Sequence, residues 1–275
     1  MPAPFHRLLL TGASGGLGRV LRPHLRNLCT SLRVTDLVQP PAEADDECVA
    51  CDLGNRAAVH AICRDVDAII HFGGVSVEDT FDRILHANIV GTFNLYEAAR
   101  KLAIRRVVYA SSGQVTGFYP TTQIVDPSMP ARPSSLYGLS KSFGENLARL
   151  FHDRYGISTV CLRIAMCFPE PSTHRMLRSF LSYDDLKSLV ERSLVADGAG
   201  FAIVYGVSAN RDLLWRNPDA MAIGWAPKDS SERFRRAVES RTPMPDAEDV
   251  QNRFHGGRFT QDGPFEDRAG LAGSS

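Results

Sequence analysis

The chain has 275 residues, in which 31 lysine and arginine residues balance 31 aspartate and glutamate residues, so its formal net charge is zero. Charges of both signs are scattered, so we expect no nucleic acid partner and no membrane surface partner. The first apolar run is short and is soon interrupted by glycine, unlike a signal peptide or a membrane span, which predicts a cytoplasmic location.

Short apolar runs alternate with longer amphipathic segments, a pattern typical of repeated strand and crossover-helix units. Several of the runs are almost wholly apolar, as parallel strands covered on both faces must be. The sequence therefore predicts an α/β fold with a doubly wound parallel sheet, the Rossmann fold. The predicted strands are 7–11, 32–36, 48–51, 68–72, 106–110 and 159–164, and the predicted helices between them are 16–28, 56–64, 82–102 and 136–155.

The loop after the first strand reads TGASGGLG, with Gly12, Gly15 and Gly18 three residues apart. Glycines there permit a tight turn, close approach of a pyrophosphate to bare backbone, and near contact of helix with sheet. The N-terminus of the following helix offers unpaired N–H groups to the phosphates. The loop therefore predicts a dinucleotide site that includes Gly16 and Leu17.

The second strand ends at Asp36, about twenty residues after the glycines, where a carboxylate can accept hydrogen bonds from both ribose hydroxyls of adenosine. A carboxylate there repels a 2′-phosphate, and no arginine directly follows it, so NAD is favoured over NADP. Asp52 and Leu53, after the third strand, are placed to contact the amino group and the face of the adenine.

Six cysteines are too sparse for a disulfide scaffold, and we expect reduced thiols. Cys48 and Cys51 form a CxxC, but residues three apart in a strand point to opposite faces. They cannot chelate one metal together, so no metal site is predicted.

The fourth strand runs into HFGGVS. Phe72, Gly73 and Gly74 would let the backbone pass close to the cofactor, and Ser76 would then stand at the mouth of the substrate site.

Tyr137 and Lys141 lie four residues apart in YGLSK, which places them on one face of a helix. A free phenol has a pKa near 10 and is a poor base at neutral pH. A lysine ammonium one turn away, together with the positive ring of an oxidised nicotinamide, favours the phenolate and lowers its pKa. The spacing therefore predicts a tyrosine base.

Beyond Ile164 the alternation gives way to an irregular, proline-containing stretch, so we predict a NAD-binding core over residues 1–165 and a small substrate-side region over 166–275. This region is expected to contain a helix from Tyr183 or Asp184, a strand at 201–207, and a helix within 226–238 capped near Asp229 or Ser230. The last ten residues are expected to be loose. Candidate side chains for docking the tail are Phe254, Phe259 and Phe265.

The glycine motif, the acidic end of the second strand, FGG, ANIVGTFNLYEAAR, YASS and YGLSK together resemble the extended short-chain dehydrogenase/reductase family, of the NAD-dependent epimerase/dehydratase type. The resemblance covers roughly the first 165 residues. It implies that Ser112 hydrogen-bonds the reacting oxygen, that Lys141 holds the nicotinamide ribose, and that Asn88 supports the lysine. It places Asn88, Tyr137, Lys141 and Ile164 among the cofactor contacts.

Only about 111 residues follow Ile164, which leaves little room to grip a nucleoside diphosphate and favours a small substrate. HFGGVSVE, PEPSTHRMLRSFLSYDD, IVYGVSAN, GWAPKD and RFHGGRF resemble the group of bacterial uronate-oxidising dehydrogenases within that family. The resemblance implies NAD-dependent oxidation of the C1 hydroxyl of D-galacturonate or D-glucuronate to the aldarolactone. Arg175 would pair with the substrate carboxylate through two parallel hydrogen bonds.

Two places depart from that group. Its members carry Asn-His where this chain has Gly113 and Gln114, and Gly-Ser where it has Ala165 and Met166. A lost hydrogen bond to a buried hydroxyl costs about 1–3 kcal/mol, so the identity of the sugar acid stays open. The predicted substrate contacts are Ser76, Ser112, Gly113, Gln114, Met166 and Arg175.

Three alternatives therefore remain: a dehydrogenase for another sugar or sugar acid, an epimerase, and a catalytically silent NAD-sensing binding protein. The long predicted helices and the family resemblance also favour a homo-oligomer.

Overall fold

A computed structural model of the chain describes residues 3–263 and 265. Its strands are β1 (Phe5–Thr11), β2 (Cys29–Asp36), β3 (Glu47–Ala50), β4 (Ala68–His71), β5 (Arg106–Ser112), β6 (Ser158–Ile164), β7 (Met166–Cys167), β8 (Phe180–Leu181) and β9 (Phe201–Gly206). Among the described residues, seven of these strands form one parallel sheet in the order β3-β2-β1-β4-β5-β6-β9. The predicted strands and the doubly wound fold are thereby confirmed.

The α-helices are α1 (Gly16–Leu25), α2 (Arg56–Ile62), α3 (Phe81–Ile84), α4 (Gly91–Lys101), α5 (Leu136–Tyr155), α6 (His174–Ser179), α7 (Tyr183–Val195), α8 (Pro218–Ala222), α9 (Arg235–Arg241) and α10 (Val250–Arg253). Apolar side chains of α1 and α7 cover one face of the sheet, and those of α2, α4 and α5 cover the other. Leu8 and Leu10 point into the first of these cores and Leu9 into the second. This is why the first strand is apolar without alternation.

Two predicted helices are not continuous α-helices. The segment predicted at 82–102 contains a π-helical turn over Leu85–Val90, between α3 and α4. The helix predicted at 16–28 is α-helical only to Leu25 and ends in a 3₁₀ turn over Arg26–Leu28. Neither interruption changes the apolar spacing that predicted the helices, so the pattern could not reveal them.

The later elements follow their predicted starts closely. Helix α7 begins at Tyr183. The late helix opens as a 3₁₀ turn over Ser231–Phe234, and the Ser230 side chain accepts a hydrogen bond from the backbone N–H of Glu232. Of the two cap candidates, Ser230 is therefore the one that caps.

Residues after 165 pack into the same hydrophobic core as residues 1–165. Strand β9 pairs with β6, and Leu186 and Leu189 of α7 belong to the same buried cluster as Leu21 of α1. The division at residue 165 stays a prediction. The last ten residues lie outside the described part of the chain. Within the described part, no helix is long and apolar enough to cross a membrane, and no three His, Cys, Asp or Glu side chains group as metal ligands.

Candidate active site

A groove crosses the carboxyl ends of the sheet strands, where open parallel sheets bind ligands. It consists of two adjoining clefts of about 770 and 650 Å³. The walls common to both clefts are Gly12, Asp36, Gly74, Val75 and Ser76. The groove is therefore continuous from the end of β2 to the start of α5.

The glycine loop turns sharply between β1 and α1. Gly12 has φ +74°, and a Cβ there would lie 2.5 Å from the carbonyl oxygen of Phe72. A Cβ on Gly18 would collide with the carbonyl oxygen of Gly12. Helix α1 starts after Gly15, which has no side chain to cap its N–H groups. These bare N–H groups face the groove and fit a pyrophosphate.

Gly18→Ala is expected to lower the free energy of unfolding by about 1–3 kcal/mol, because its Cβ must displace backbone. Gly16→Ala is the matched control, since a Cβ there meets nothing within 4 Å. Denaturant unfolding of the two variants without NAD checks the difference. Equal free energies of unfolding for the two variants would contradict this account of the loop. Titration of both variants with NAD would show whether the affinity for NAD falls together with the stability.

Two carboxylates line the groove beside the ends of β2 and β3. Asp36 accepts hydrogen bonds from the backbone N–H of Ser14 (2.9 Å) and of Leu37 (2.8 Å), which hold it at the end of β2. Asp52 accepts from Gly54 N–H (2.8 Å) and contacts His86 Nε2 (2.9 Å). The hydrogen bond from His86 is the main reason why the pKa of Asp52 is lowered.

His86 was not predicted, because it reaches this cleft from the π-helical turn, 34 residues away from Asp52 in the sequence. Leu53 lies between Gly73 and Gly91, at each of which a Cβ would be 2.8 Å from a Leu53 carbon. Leu53 and Asp52 both line the cleft of about 770 Å³, and Phe72 lines the cleft of about 650 Å³.

Asn88 lies in the π-helical turn and joins two walls of the groove. Its Oδ1 accepts from Val75 N–H (2.8 Å), and its Nδ2 donates to the Val75 carbonyl (3.0 Å) and to Ser140 Oγ (2.9 Å). Ser140 Oγ donates in turn to the Tyr137 carbonyl (2.7 Å). Asn88 therefore ties the loop after β4 to the helix that carries Tyr137, and no direct contact with Lys141 is recorded within the described residues.

Tyr137, Lys141 and Ser112 line the second cleft together. The Lys141 ammonium donates to the Ala110 carbonyl (2.9 Å) and lies 5.6 Å from the centre of the Tyr137 ring. Ser112 Oγ accepts from Gln114 N–H (3.2 Å). The three groups predicted to act together are therefore neighbours.

The predicted lowering of the tyrosine pKa, which includes the charge of an oxidised nicotinamide, stays a prediction; the protein's own groups shift this pKa upward. Burial raises the pKa of Tyr137 to about 12, and a hydrogen bond with Ser112 opposes the shift. Burial also lowers the pKa of Lys141 to about 8. Both charged forms are disfavoured, because burial removes each group from water.

Glu78 holds the N-terminus of helix α5. Its two carboxylate oxygens accept from the backbone N–H groups of Leu136 (2.9 Å) and Tyr137 (2.8 Å), and Ser135 Oγ accepts from Gly138 N–H (3.0 Å). A negative charge is favourable at this end of a helix. Glu78 was not predicted, because a single acidic residue in a loop carries no spacing signal.

A buried ion pair links helix α5, which carries Tyr137 and Lys141, to strand β6. Arg163 of β6 makes a two-pronged contact with Glu145 of α5 (2.9 and 2.8 Å), and Ser111 Oγ donates to the same carboxylate (2.6 Å). Arg163 also donates to Tyr205 Oη (2.9 Å). Glu145 was not predicted. It follows Lys141 by one helical turn, and this spacing is the only sequence signal that places it near the site.

One end of the second cleft is mostly apolar. Its wall includes Ser76, Ser112, Gln114, Ile164, Met166, Phe168 and Phe259. Gly113 is outside this wall, and a Cβ there would meet Trp215 at 3.5 Å. The structure therefore brings together the predicted substrate residues Ser76, Ser112, Gln114 and Met166, but not Gly113.

Arg175 is also outside the wall. Its guanidinium donates to the carbonyl oxygens of Phe254 (3.2 Å) and His255, in the C-terminal segment. Burial lowers the pKa of Arg175 to about 10, and the nearby Arg178 adds to this shift. Among the described residues no carboxylate pairs with Arg175.

The C-terminal segment, residues 250–260, packs over the second cleft. The Phe259 ring lies 5.8 Å from the Tyr137 ring, and the Phe254 ring meets Phe118 edge-on at 5.6 Å. Phe254 and Phe259 therefore dock, as predicted for the tail. The position of Phe259 beside Tyr137 was not predicted.

The fold, the glycine loop and the Tyr137–Lys141 pair define a Rossmann-fold protein of the short-chain dehydrogenase/reductase class. Residues 8–190 match the NAD dependent epimerase/dehydratase family, and the chain belongs to that family.

Similarity to individual proteins extends beyond residues 8–190. The chain is 51% identical to uronate dehydrogenase of Pseudomonas putida, over 95% of this chain and 98% of that one. The crystal structure of glucuronic acid dehydrogenase from Chromohalobacter salexigens has a TM-score of 0.93 and 47% identity, covering 95% of this chain and 99% of the other. A mutant uronate dehydrogenase from Agrobacterium tumefaciens complexed with NAD has a TM-score of 0.92 and 46% identity, with the same coverage.

Proposed function

We propose that the protein is an NAD-dependent dehydrogenase that oxidises the C1 hydroxyl of a cyclic hexuronate, D-galacturonate or D-glucuronate, to the aldarolactone. The observation that carries the proposal is the convergence of Ser112, Tyr137 and Lys141 in a cleft continuous with the glycine loop. Relatives at about half identity over nearly the whole chain bear the name uronate dehydrogenase, which supports the substrate class.

The residues of the groove fit NAD. Gly12 and Gly18 have no space for a side chain, which leaves the backbone bare for close approach of a pyrophosphate. Asp36 stands where a ribose without a 2′-phosphate is favoured. Bound NAD supplies the hydride acceptor for C1.

The catalytic side chains orient the sugar and remove its proton. Ser112 Oγ donates to the reacting oxygen, and the Tyr137 phenolate takes the hydroxyl proton. The charged Lys141 lowers the free energy of that phenolate. Because the site is buried, each of these interactions is stronger than it would be in water.

Although Arg175 lies outside the wall of the second cleft, we infer that its guanidinium turns from the carbonyls of Phe254 and His255 to anchor the substrate carboxylate. A buried guanidinium whose described acceptors are neutral carbonyls gains a stronger partner when a carboxylate arrives. The carboxylate would also offset the desolvation that lowers the pKa of Arg175.

NADH absorbance with galacturonate, glucuronate, galactose and glucose tests the proposal. We expect NADH with the two uronates only, and Arg175→Gln should raise KM for them at least about tenfold, the loss of one charge-assisted hydrogen bond. Arg178→Gln is the matched control, since Arg178 donates to the carbonyls of Asp212 and Thr121. Turnover of neutral sugars alone would overturn the substrate class, and uronate conversion without net NADH would favour an epimerase.

We also propose that the protein is a cytoplasmic homo-oligomer that acts in carbohydrate metabolism. All six cysteines are free, which supports a reducing compartment. Leu139 and Leu150 of α5 and Val90 before α4 are exposed apolar side chains, which supports self-association through these helices.

A further inference from the structure

Gln114 was predicted to contact the substrate, but both ends of its side-chain amide are bound by protein. Its Oε1 accepts from Ser134 Oγ (2.7 Å), and its Nε2 donates to the Gly256 carbonyl (3.2 Å). Ser134 lies in the loop before α5, and Gly256 lies in the C-terminal segment. One side chain on the wall of the substrate cleft therefore joins two segments that are distant in sequence.

Glycines allow this junction to be tight. A Cβ on Gly117 or Gly256 would collide with Ser134 Oγ, and a Cβ on Gly138 would lie 2.6 Å from the Gln114 carbonyl oxygen. Gly256 N–H also donates to the Gly117 carbonyl (2.7 Å). The segments that carry Gln114, Ser134 and Gly256 meet with no space for additional atoms, so a small displacement of one must move the others.

The junction bears on the reacting groups from two sides. Gly138 is the neighbour of Tyr137 in helix α5, and Phe259, three residues beyond Gly256, packs against the Tyr137 ring at 5.8 Å. Ser112, two residues before Gln114, accepts the Gln114 backbone N–H at 3.2 Å. The position of the C-terminal segment over the cleft is thus linked to the geometry of the base.

We propose that Gln114 is a positioning residue, which holds the C-terminal segment over the substrate cleft through Ser134 and Gly256 and does not bind the substrate. The kinetic part of this inference rests on the proposed function. The structural part does not, because it concerns how firmly residues 250–260 are held.

Trypsin cleavage after the exposed Arg253 and Arg258, followed by mass spectrometry of the full chain, tests the structural part. Gln114→Met removes both hydrogen bonds, and we expect cleavage at these sites to be at least about fivefold faster, the value of one hydrogen bond. Gln114→Glu cannot donate to Gly256 and should behave in the same way. Gln251→Met, the same change at an exposed position of α10, is the matched control.

Ser134→Ala removes only the bond to Oε1 and should speed tail cleavage less than Gln114→Met. The double variant should be no worse than Gln114→Met alone, because the two side chains act through one contact. Cleavage after the exposed Arg64, at the far side of the fold, must stay at the wild-type rate and so reports any general unfolding. Tail cleavage at the wild-type rate in both Gln114 variants would overturn the proposal.

Kinetics then separate positioning from substrate binding. We expect KM for the uronate to rise about five- to tenfold in Gln114→Met and less in Ser134→Ala, with KM for NAD within about twofold of the wild type. A large rise in Gln114→Glu alone, with Ser134→Ala unchanged, would show direct contact with the anionic substrate and overturn the proposal. Absence of uronate turnover in the wild type would refute the proposed function, while the cleavage rates would still decide the role of Gln114.

Discussion

Tyr137→Phe is expected to lower kcat for uronate oxidation by about 10²–10⁴-fold, the contribution of a positioned general base. The substitution removes one hydroxyl and keeps the ring, which packs against Phe259 and the Lys141 ammonium. The loss should therefore appear in kcat, with the KM values for NAD and the uronate changed little. Steady-state NADH formation measures all three quantities.

The pH dependence of the wild type gives this prediction a second readout. In the proposed mechanism, activity needs the Tyr137 phenolate together with the charged Lys141, whose pKa values are about 12 and about 8. Below pH 8 the phenolate fraction increases tenfold per pH unit while the lysine stays charged, so kcat/KM should rise. Above pH 8 the charged fraction of Lys141 falls as fast as the phenolate fraction of Tyr137 rises, so kcat/KM should level off.

The break near pH 8 thus belongs to the lysine although the base is the tyrosine. A Tyr137→Phe enzyme that retains a tenth or more of wild-type kcat would contradict the assignment of the base. A wild-type profile that is flat between pH 6 and pH 8 would contradict the pairing of the two groups.

Glu145→Gln is expected to lower the free energy of unfolding by about 3–5 kcal/mol, the usual cost of breaking a buried ion pair. The side chains of Arg163 and Glu145 are only 3% and 6% exposed, so the guanidinium would be left charged and without its counter-ion. Ser111 Oγ and Tyr205 Oη contact the same pair. Urea unfolding measures the loss.

Asp153→Asn on the same helix is the matched control. Asp153 pairs with Arg149 at the surface, where both side chains are more than half exposed, and such pairs contribute about 0–1 kcal/mol. The double substitution Glu145→Leu with Arg163→Met should regain part of the stability, since neither charge is then buried alone. A loss below about 1 kcal/mol in Glu145→Gln would show that the pair is not a stabilising contact.

Local signals explain why much of the fold was predictable. Helix α5 was predicted with its observed bounds, because Ser135 caps its start and Gly156, with φ +68°, ends it. The parallel strands were predicted because burial on both faces makes them apolar throughout. The glycine loop, Asp36 and the Tyr137–Lys141 pair have spacings that follow directly from the geometry of a turn or a helix.

The remainder of the site depends on contacts between distant parts of the chain. Gln114 and Gly256 are 142 residues apart, and no local pattern indicates that they meet. Glu78 meets the start of α5 across 58 residues. The interactions of Arg175 with two backbone carbonyls were likewise invisible, because a carbonyl acceptor has no sequence signature.

The place of β9 at the edge of the sheet affects how the chain can fold during its synthesis. Strand β6 is complete at Ile164. Its partner β9 spans Phe201–Gly206, so it is synthesised only some forty residues later. Until then, β6 presents a row of unpaired backbone groups, which is a template for pairing with another chain. The apolar face that Leu186 and Leu189 of α7 will cover is also bare. On the ribosome, the nascent chain therefore passes through a stage in which a chaperone that shields strand edges would have most effect.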